Sequence, residues 1–233
     1  MNKTEKNLYF ILIKKSFFLF QVLDPNNKLI YSKEVPINYN LVSDIYISIE
    51  NFLKKNIFTI EKNLKCFIKE IYIILESDLF FEAGSSIKQN SQKIHFEIGD
   101  IKDTLLEINN QFKKHSPRDE IIHMIIEKYI IGDNEYKYLP EQINGQNLII
   151  TVSFICLNNK IVNDLKKIFF KYQISVNKIL SCNYLEEIND TNGENILEIA
   201  ANSLNGSYIN EVLIADKPSK NQGFFEKFFN FFN

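Results

Sequence analysis

A length of 233 residues allows one large domain or two small ones with a buried core. A composition that is 45% hydrophobic and 24% charged excludes a disordered chain. The formal charge of −2 leaves no overall field to draw the protein to nucleic acid, so no nucleic-acid partner is expected. Leu8 to Ile13, Phe17 to Leu23 and Leu29 to Val35 are short runs of aromatic and β-branched residues, separated by Lys14-Lys15 and by Asp24-Pro25-Asn26-Asn27. This pattern predicts three antiparallel strands with tight turns. From Leu41 to Leu64 apolar residues recur at helical spacing between lysines, which predicts an amphipathic helix with a break near Asn56. Ile71 to Leu75 is a continuous apolar run suited to a strand buried on both faces.

Gly84-Ser85-Ser86 opens a polar stretch through Gln92 that reads as a loop into a second unit. One glycine there is too few for a phosphate cradle. Ile94 to Ile98 alternates like a strand, and Asp100 suits the cap of a helix running to Lys114, stopped by Ser116-Pro117. Ile121 to Ile131 and Leu148 to Leu157 are predicted as long strands. Asn158 caps a helix to about Tyr172 whose Lys160, Lys166, Lys167 and Lys171 form a solvated face. Val176 to Cys182 is a further strand, and Asn189 to Gly193 a turn. The order from Gly84 to Cys182 is thus strand, helix, strand, strand, helix, strand, an α+β arrangement.

Little of this carries chemistry. Cys66, Cys156 and Cys182 have no metal spacing and read as reduced core thiols. His95, His115 and His123 are the only histidines, and His123, inside a strand beside Ile122 and Met124, reads as a packed residue with a satisfied ring. Glu186, Glu187 and Asp190 read as solvated. No catalytic residue, metal site or cofactor site is expected. The N-terminal apolar runs are broken by Lys14 and Lys15, with no small-residue cleavage site after them, which argues against a signal peptide.

The last residues are the most self-contained signal. On a helical wheel Phe224, Phe225, Phe228, Phe229, Phe231 and Phe232 share one broad arc, while Glu226, Lys227, Asn230 and Asn233 take the other. Full burial of one aromatic ring contributes roughly 1.5–3 kcal/mol, part of which each ring gains at a lipid interface, so six can hold a domain reversibly on a bilayer. Lys217, Lys220 and Lys227 add slight attraction to anionic lipid.

The stretch from Ser116 to Glu187 resembles the inserted SHS2 subdomain of FtsA, the actin-like bacterial cell division family. The features that carry the resemblance are Ile121-Ile122-His123, Tyr129-Ile130-Ile131-Gly132-Asp133, Pro140, Gly145-Gln146-Asn147-Leu148, the helix around Val162 to Phe170, and Val176-Asn177-Lys178-Ile179. Residues 8 to 80 have the element order of the family's first actin-like, ribonuclease-H-like subdomain. The resemblance therefore implies an α+β fold with four parts: 1–83 as half of an actin-like subdomain, 84–183 as the SHS2-like module, 184–216 as a return segment, and 217–233 as linker and amphipathic helix. It also implies a truncated member, because after Glu187 the sequence passes almost directly to the tail and the second actin-like half is missing.

Two functional expectations follow. Actin-like ATPases cradle phosphate in each half, and the first-hairpin Asp-x-Gly-Ser/Thr pattern is replaced here by Lys14-Lys15-Ser16, so ATP binding is not expected. The resemblance instead implies a non-enzymatic adaptor on the cytoplasmic face of the membrane at the division septum. Its partners would be a second FtsA-like chain or later division proteins. Contact with the ring protein FtsZ is made largely by the missing half and is not expected. The exposed turn of Asp133, Asn134, Glu135, Tyr136 and Tyr138 is the expected partner surface. The alternatives are an ATPase subunit completed by another chain and an actin-like adaptor of pilus assembly or secretion.

Overall fold

Two sheets, built on separate stretches of chain, organise the protein. A computed structural model describes residues 6–37, 42–90, 96–141, 143–145, 147–189, 195–208 and 210–213. The first three strands, β1 (Leu8–Ile13), β2 (Phe17–Leu23) and β3 (Leu29–Pro36), form the expected meander. Its second turn closes because the Asp24 carboxylate accepts the amides of Asn26 and Lys28, each at 2.9 Å, while Asn27 takes a φ of 60°. Asparagine tolerates this left-handed conformation better than most residues. The helix α1 (Val42–Leu64) then crosses to β4 (Glu70–Leu75), which lies parallel to β1. There is no break at Asn56, whose side-chain amide donates to the Phe52 carbonyl at 2.8 Å and leaves the helix continuous.

The chain next builds a four-stranded antiparallel sheet. Its strands are β5 (Phe81–Asn90), β6 (Asp119–Ile131), β7 (Asn134–Tyr136) and β8 (Asn147–Asn158), in the order β5-β8-β6-β7. The helix α2 (Ile98–His115) lies between β5 and β6 in sequence. The stretch expected to be a loop from Gly84 is thus a strand. Its polarity misleads because β5 is an edge, with Ala83 and Ile87 half-buried on the core and the alternate residues exposed. Of the strand expected at Ile94 to Ile98, Ile94 and His95 lie outside the described residues, Phe96 and Glu97 belong to no strand, and Ile98 opens α2. Asp100 does serve the helix start, as the third residue of a capping box that accepts the Glu97 amide at 2.7 Å.

The main correction concerns the return. The helix α3 (Asn159–Phe170) and strand β9 (Ser175–Ser181), expected within a module ending at 183, belong to the first sheet. β9 pairs in parallel with β4, giving the order β3-β2-β1-β4-β9. Val162, Leu165 and Phe169 of α3 share a core with Ile49 and Phe52 of α1, and Lys171 meets Glu50 at 2.7 Å. An amphipathic helix followed by an apolar strand satisfies either sheet locally; pairing with β4 decides it because both faces of the five-stranded sheet are covered. The inserted unit is therefore β5 to β8, and the five-stranded sheet has the ribonuclease-H-like arrangement of an actin-like subdomain.

Alternation along β1 shows the layering. Ile11 and Ile13 face the core under α1 and α3, whereas Phe10 and Leu12 face a second core with α4 (Cys182–Ile188) and α5 (Ile196–Leu204). A third core joins α2 to the inserted sheet through Ile101, Ile108, Met124, Val152 and Phe154. The return segment ends by pairing with β6: Val212 donates to the Met124 carbonyl and Asn210 accepts from Ile126, both at 2.8 Å. Residues 214–233, which include the predicted membrane-binding Phe224, Phe225, Phe228, Phe229, Phe231 and Phe232, lie outside the described residues.

Candidate functional site

In an open sheet with parallel strands, ligands sit beyond the carboxyl ends of those strands. Here β1, β4 and β9 end together at Ile13, Leu75 and Ser181. The turn from β1 to β2 is Lys14-Lys15-Ser16, closed by the Lys14 amide on the Phe17 carbonyl at 3.0 Å. A phosphate cradle needs free amides here, but the protein's own carboxylates occupy the position. Glu76 accepts the Lys15 amide at 3.0 Å, Asp78 takes the Lys15 ammonium at 2.8 Å, and Glu186 takes that of Lys14 at 2.7 Å. The Glu186 hydrogen bond raises the pKa of Lys14, and the Lys14 hydrogen bond lowers that of Glu186. Three carboxylates against two lysines make the turn a poor host for a polyanion. The neighbouring cavity between Ser77, Ser181, Asn183 and Glu187 holds about 140 Å³, less than the roughly 300–1,000 Å³ of ordinary ligand pockets. Glu186, expected to be solvated, is thus half of an ion pair spanning 172 residues of sequence. Nothing local in the sequence marks that pairing.

The second polar cluster is buried where the two sheets meet. His123 of β6 and Glu211 have side chains 0% and 1% exposed, with Nδ1 and Oε1 2.7 Å apart. The Ser181 amide donates to His123 Nε2 at 3.0 Å, which makes Nε2 the acceptor and assigns the proton to Nδ1. Ser203 donates to the other Glu211 oxygen at 2.7 Å, and the Tyr184 ring lies 4.3 Å from the imidazole. Burial lowers the pKa of His123 despite the Glu211 carboxylate, keeping the ring neutral. Burial alone would raise the Glu211 carboxyl, but the hydrogen bonds from His123 and Ser203 outweigh it and hold it low.

Serine, histidine and glutamate are all present, yet not in the order of a nucleophilic triad. The hydroxyl sits on the carboxylate, and the imidazole nitrogen that would activate it is engaged by a backbone amide. The cluster is a joint between β6, the start of α4 and the return segment. The sequence marks His123 as satisfied but not its partners, which lie 58 and 88 residues away. Cys182 and Cys156 are no better as nucleophiles, since burial pushes each thiol up to about 12. Among the described residues no group of His, Cys, Asp and Glu side chains is placed to hold a metal ion.

The expected partner surface is a real hairpin. Gly132, with φ 60°, turns β6 into β7, where Asn134 and Glu135 pair with Ile131 and Ile130. Asp133, Asn134, Glu135 and Tyr138 are exposed and Tyr136 is half-buried. Tyr138 shows 53% of its surface beside exposed Leu139, with the Lys137 ammonium 5.6 Å from its ring centroid. Glu135 is paired with Lys128 at 2.8 Å. This end of the sheet offers two large side chains within a charged rim, a composition suited to protein contact.

No protein-family model matches the sequence, and no curated protein is similar to it. Among solved structures the chain is similar to the cytoplasmic domain of EpsL, an inner membrane component of the type II secretion system of Vibrio cholerae. The identity is 7% and the TM-score 0.36, over 77% of this chain and 59% of that one. It is also similar to a Bacteroides thetaiotaomicron protein with an actin-like ATPase fold and unknown function, with 15% identity and a TM-score of 0.34 over 80% and 57%. A third is the PilM-PilN type IV pilus biogenesis complex, with 7% identity and a TM-score of 0.44 over 76% and 48%. The chain spans about half to three fifths of the length of these structures.

Proposed function

We propose that this protein is a non-enzymatic actin-like adaptor that rests on a membrane surface and engages protein partners through its inserted sheet. The observation that carries the non-enzymatic reading is the Lys15 amide held by Glu76 at 3.0 Å, with Asp78 and Glu186 on the flanking lysines. A carboxylate there takes the place a phosphate oxygen would need, and like charge repels a second anion. Equilibrium dialysis of the full chain with labelled ATP is the test. Binding no greater than in a protein-free control is expected; saturable binding would favour an ATPase subunit completed by another chain.

The partner surface is the β6–β7 hairpin, with Tyr136 and Tyr138 as anchors. The resemblance of residues 116–187 to FtsA, of which 116–158 fall in or beside the inserted unit, supports cell division as the setting. A fluorescent fusion is then expected at midcell, and accumulation at a pole would favour pilus assembly or secretion. The Phe-rich tail supplies the membrane contact. The intact chain should sediment with anionic liposomes and a version ending at Gln222 should not; equal pelleting would remove membrane targeting from the proposal.

A further inference from the structure

We propose that the outer edge of β5 is a homodimer contact, where a second copy of this chain adds its own β5 antiparallel across a two-fold axis at Ser85. The strand runs ten residues, Phe81–Asn90, and is paired along its whole length with β8 in one unbroken register. Among the described residues nothing pairs with its other side. A long regular edge presents a row of unsatisfied amides and carbonyls, and natural sheets guard such edges with prolines, bulges or many charges. Two of the other three edges are guarded in this way, and the third, β9, is shorter, has an irregular register against β4 and has its Ser181 amide taken by His123. β3 ends in Pro36, carries Lys33 and Glu34, and has an irregular register opposite Val22 and Leu23, while β7 is only three residues long. β5 has no proline, no bulge, and a single charge of each sign, Glu82 and Lys88.

The position of those two charges selects the occupant. Both are exposed and, being an even number of residues apart, lie on the same face of the sheet. In an antiparallel pair of β5 strands with Ser85 opposite its own copy, Glu82 falls opposite Lys88 of the second copy. Lys88 falls opposite that copy's Glu82, Ala83 opposite Ile87, and Gly84 opposite Ser86. One strand thus satisfies itself with two ion pairs and two apolar pairs. Sliding the register by two residues in either direction breaks both ion pairs, so the sequence favours one alignment. Isologous self-complementarity is what a two-fold dimer requires. The contact lies on the opposite edge of the inserted sheet from the β6–β7 hairpin, leaving that surface free, and it does not depend on the adaptor reading.

Sedimentation velocity of the full chain over a concentration series tests this. A reversible monomer–dimer equilibrium is expected. Glu82→Lys and Lys88→Glu, each turning two attractive pairs into repulsive ones, should raise the dimer Kd about tenfold. The Glu82→Lys/Lys88→Glu double variant restores both pairs with the signs exchanged and should return to the wild-type Kd. Both side chains are exposed, so the variants keep the fold. A chain that stays monomeric at its highest soluble concentration would overturn the proposal. So would a dimer indifferent to both reversals, as expected of assembly through the Phe-rich tail, or a double variant no tighter than the single ones.

Discussion

Replacing His123 by leucine tests whether the buried cluster is the joint between the two sheets. Leucine keeps apolar contact with the Tyr184 ring but removes both of the imidazole's hydrogen bonds. Glu211 keeps Ser203, with Tyr184 and Lys178 also beside it, but loses the imidazole N–H, and losing one hydrogen bond to a buried carboxylate costs roughly 1.5–3 kcal/mol. The Ser181 amide loses its acceptor, which adds about 1 kcal/mol or more. The sum, about 2.5 kcal/mol at its low end, lowers the melting temperature by about 5–10 °C at the usual 2–4 °C per kcal/mol for chains of this size. Glu211→Leu orphans the His123 N–H and the Ser203 hydroxyl, neither of them charged, and should cost roughly 2–3 kcal/mol. In the double variant the stranded carboxylate is gone, so its cost should fall short of the sum by roughly 1–3 kcal/mol. Urea unfolding with an unchanged m-value measures all three. If His123→Leu cost under about 1 kcal/mol, or if the two changes added within roughly 0.5 kcal/mol, the cluster would not be acting as a coupled unit.

The same histidine sets a pH dependence. Its folded pKa is lowered by burial from the ordinary 6.5, so between the two values the unfolded chain binds more protons. Stability is therefore complete above about pH 6.5 and falls as the pH drops below it, with a slope of at most about 1.36 kcal/mol per unit from this group. Glu211, also lowered in the fold, adds loss in the same direction below its ordinary value of 4.5. Urea midpoints from pH 7.5 to 5 should decline in the wild type and stay flatter in His123→Leu. Gly145→Ala should destabilise by about 1–3 kcal/mol, because the added Cβ would lie 2.9 Å from Ile131 Cγ2 and 3.0 Å from the Gly132 backbone nitrogen, which cannot move aside freely; thermal unfolding checks it. Lys14→Met should cost under about 1 kcal/mol in urea unfolding, since its partner Glu186 is 49% exposed and solvent screens the pair. A larger loss would mean the turn is held more tightly than its exposure implies.

What the sequence revealed divides along the range of the interactions. The first meander was legible because Asp24-Pro25-Asn26-Asn27 and the β-branched runs act within a few residues. The cap at Asn158 was legible for the same reason, its side chain accepting the Lys160 amide at 3.0 Å. β5 was missed because FEAGSSIKQN has only Ala83 and Ile87 to mark its inward face, and an edge strand needs no more. Assigning α3 and β9 to the wrong sheet has a different cause. Nothing within Asn159 to Ser181 distinguishes packing against β8 from packing against α1 and β4, since an amphipathic helix buries the same face either way. Among the polar residues, His123 could be called satisfied from its apolar neighbours. Glu76, Ser203 and Glu211 carry no local mark, because their partners are brought to them by the topology.

Strand β6 shows why these distant pairings matter for the proposed contact surface. Its side chains enter more than one core: Ile122 joins the core of α1 and α3, Ile125 packs partly buried against that of α4 and α5, and Met124, Ile126, Tyr129 and Ile131 build the core of the inserted sheet. His123, between them, bonds to the end of β9 and to the return segment. The inserted sheet is therefore continuous in packing with the five-stranded sheet through one strand. The β6–β7 hairpin is the far end of that same strand, so Tyr136, paired with Tyr129, is carried on an extension of the packed core, with exposed Tyr138 two residues beyond it. A surface held this way loses little conformational entropy when a partner docks, which favours affinity from a small patch. The stretch from Asp119 to Leu157 thus combines the proposed contact surface and its packing support, while carboxylates of the chain hold the turn at the ends of the parallel strands.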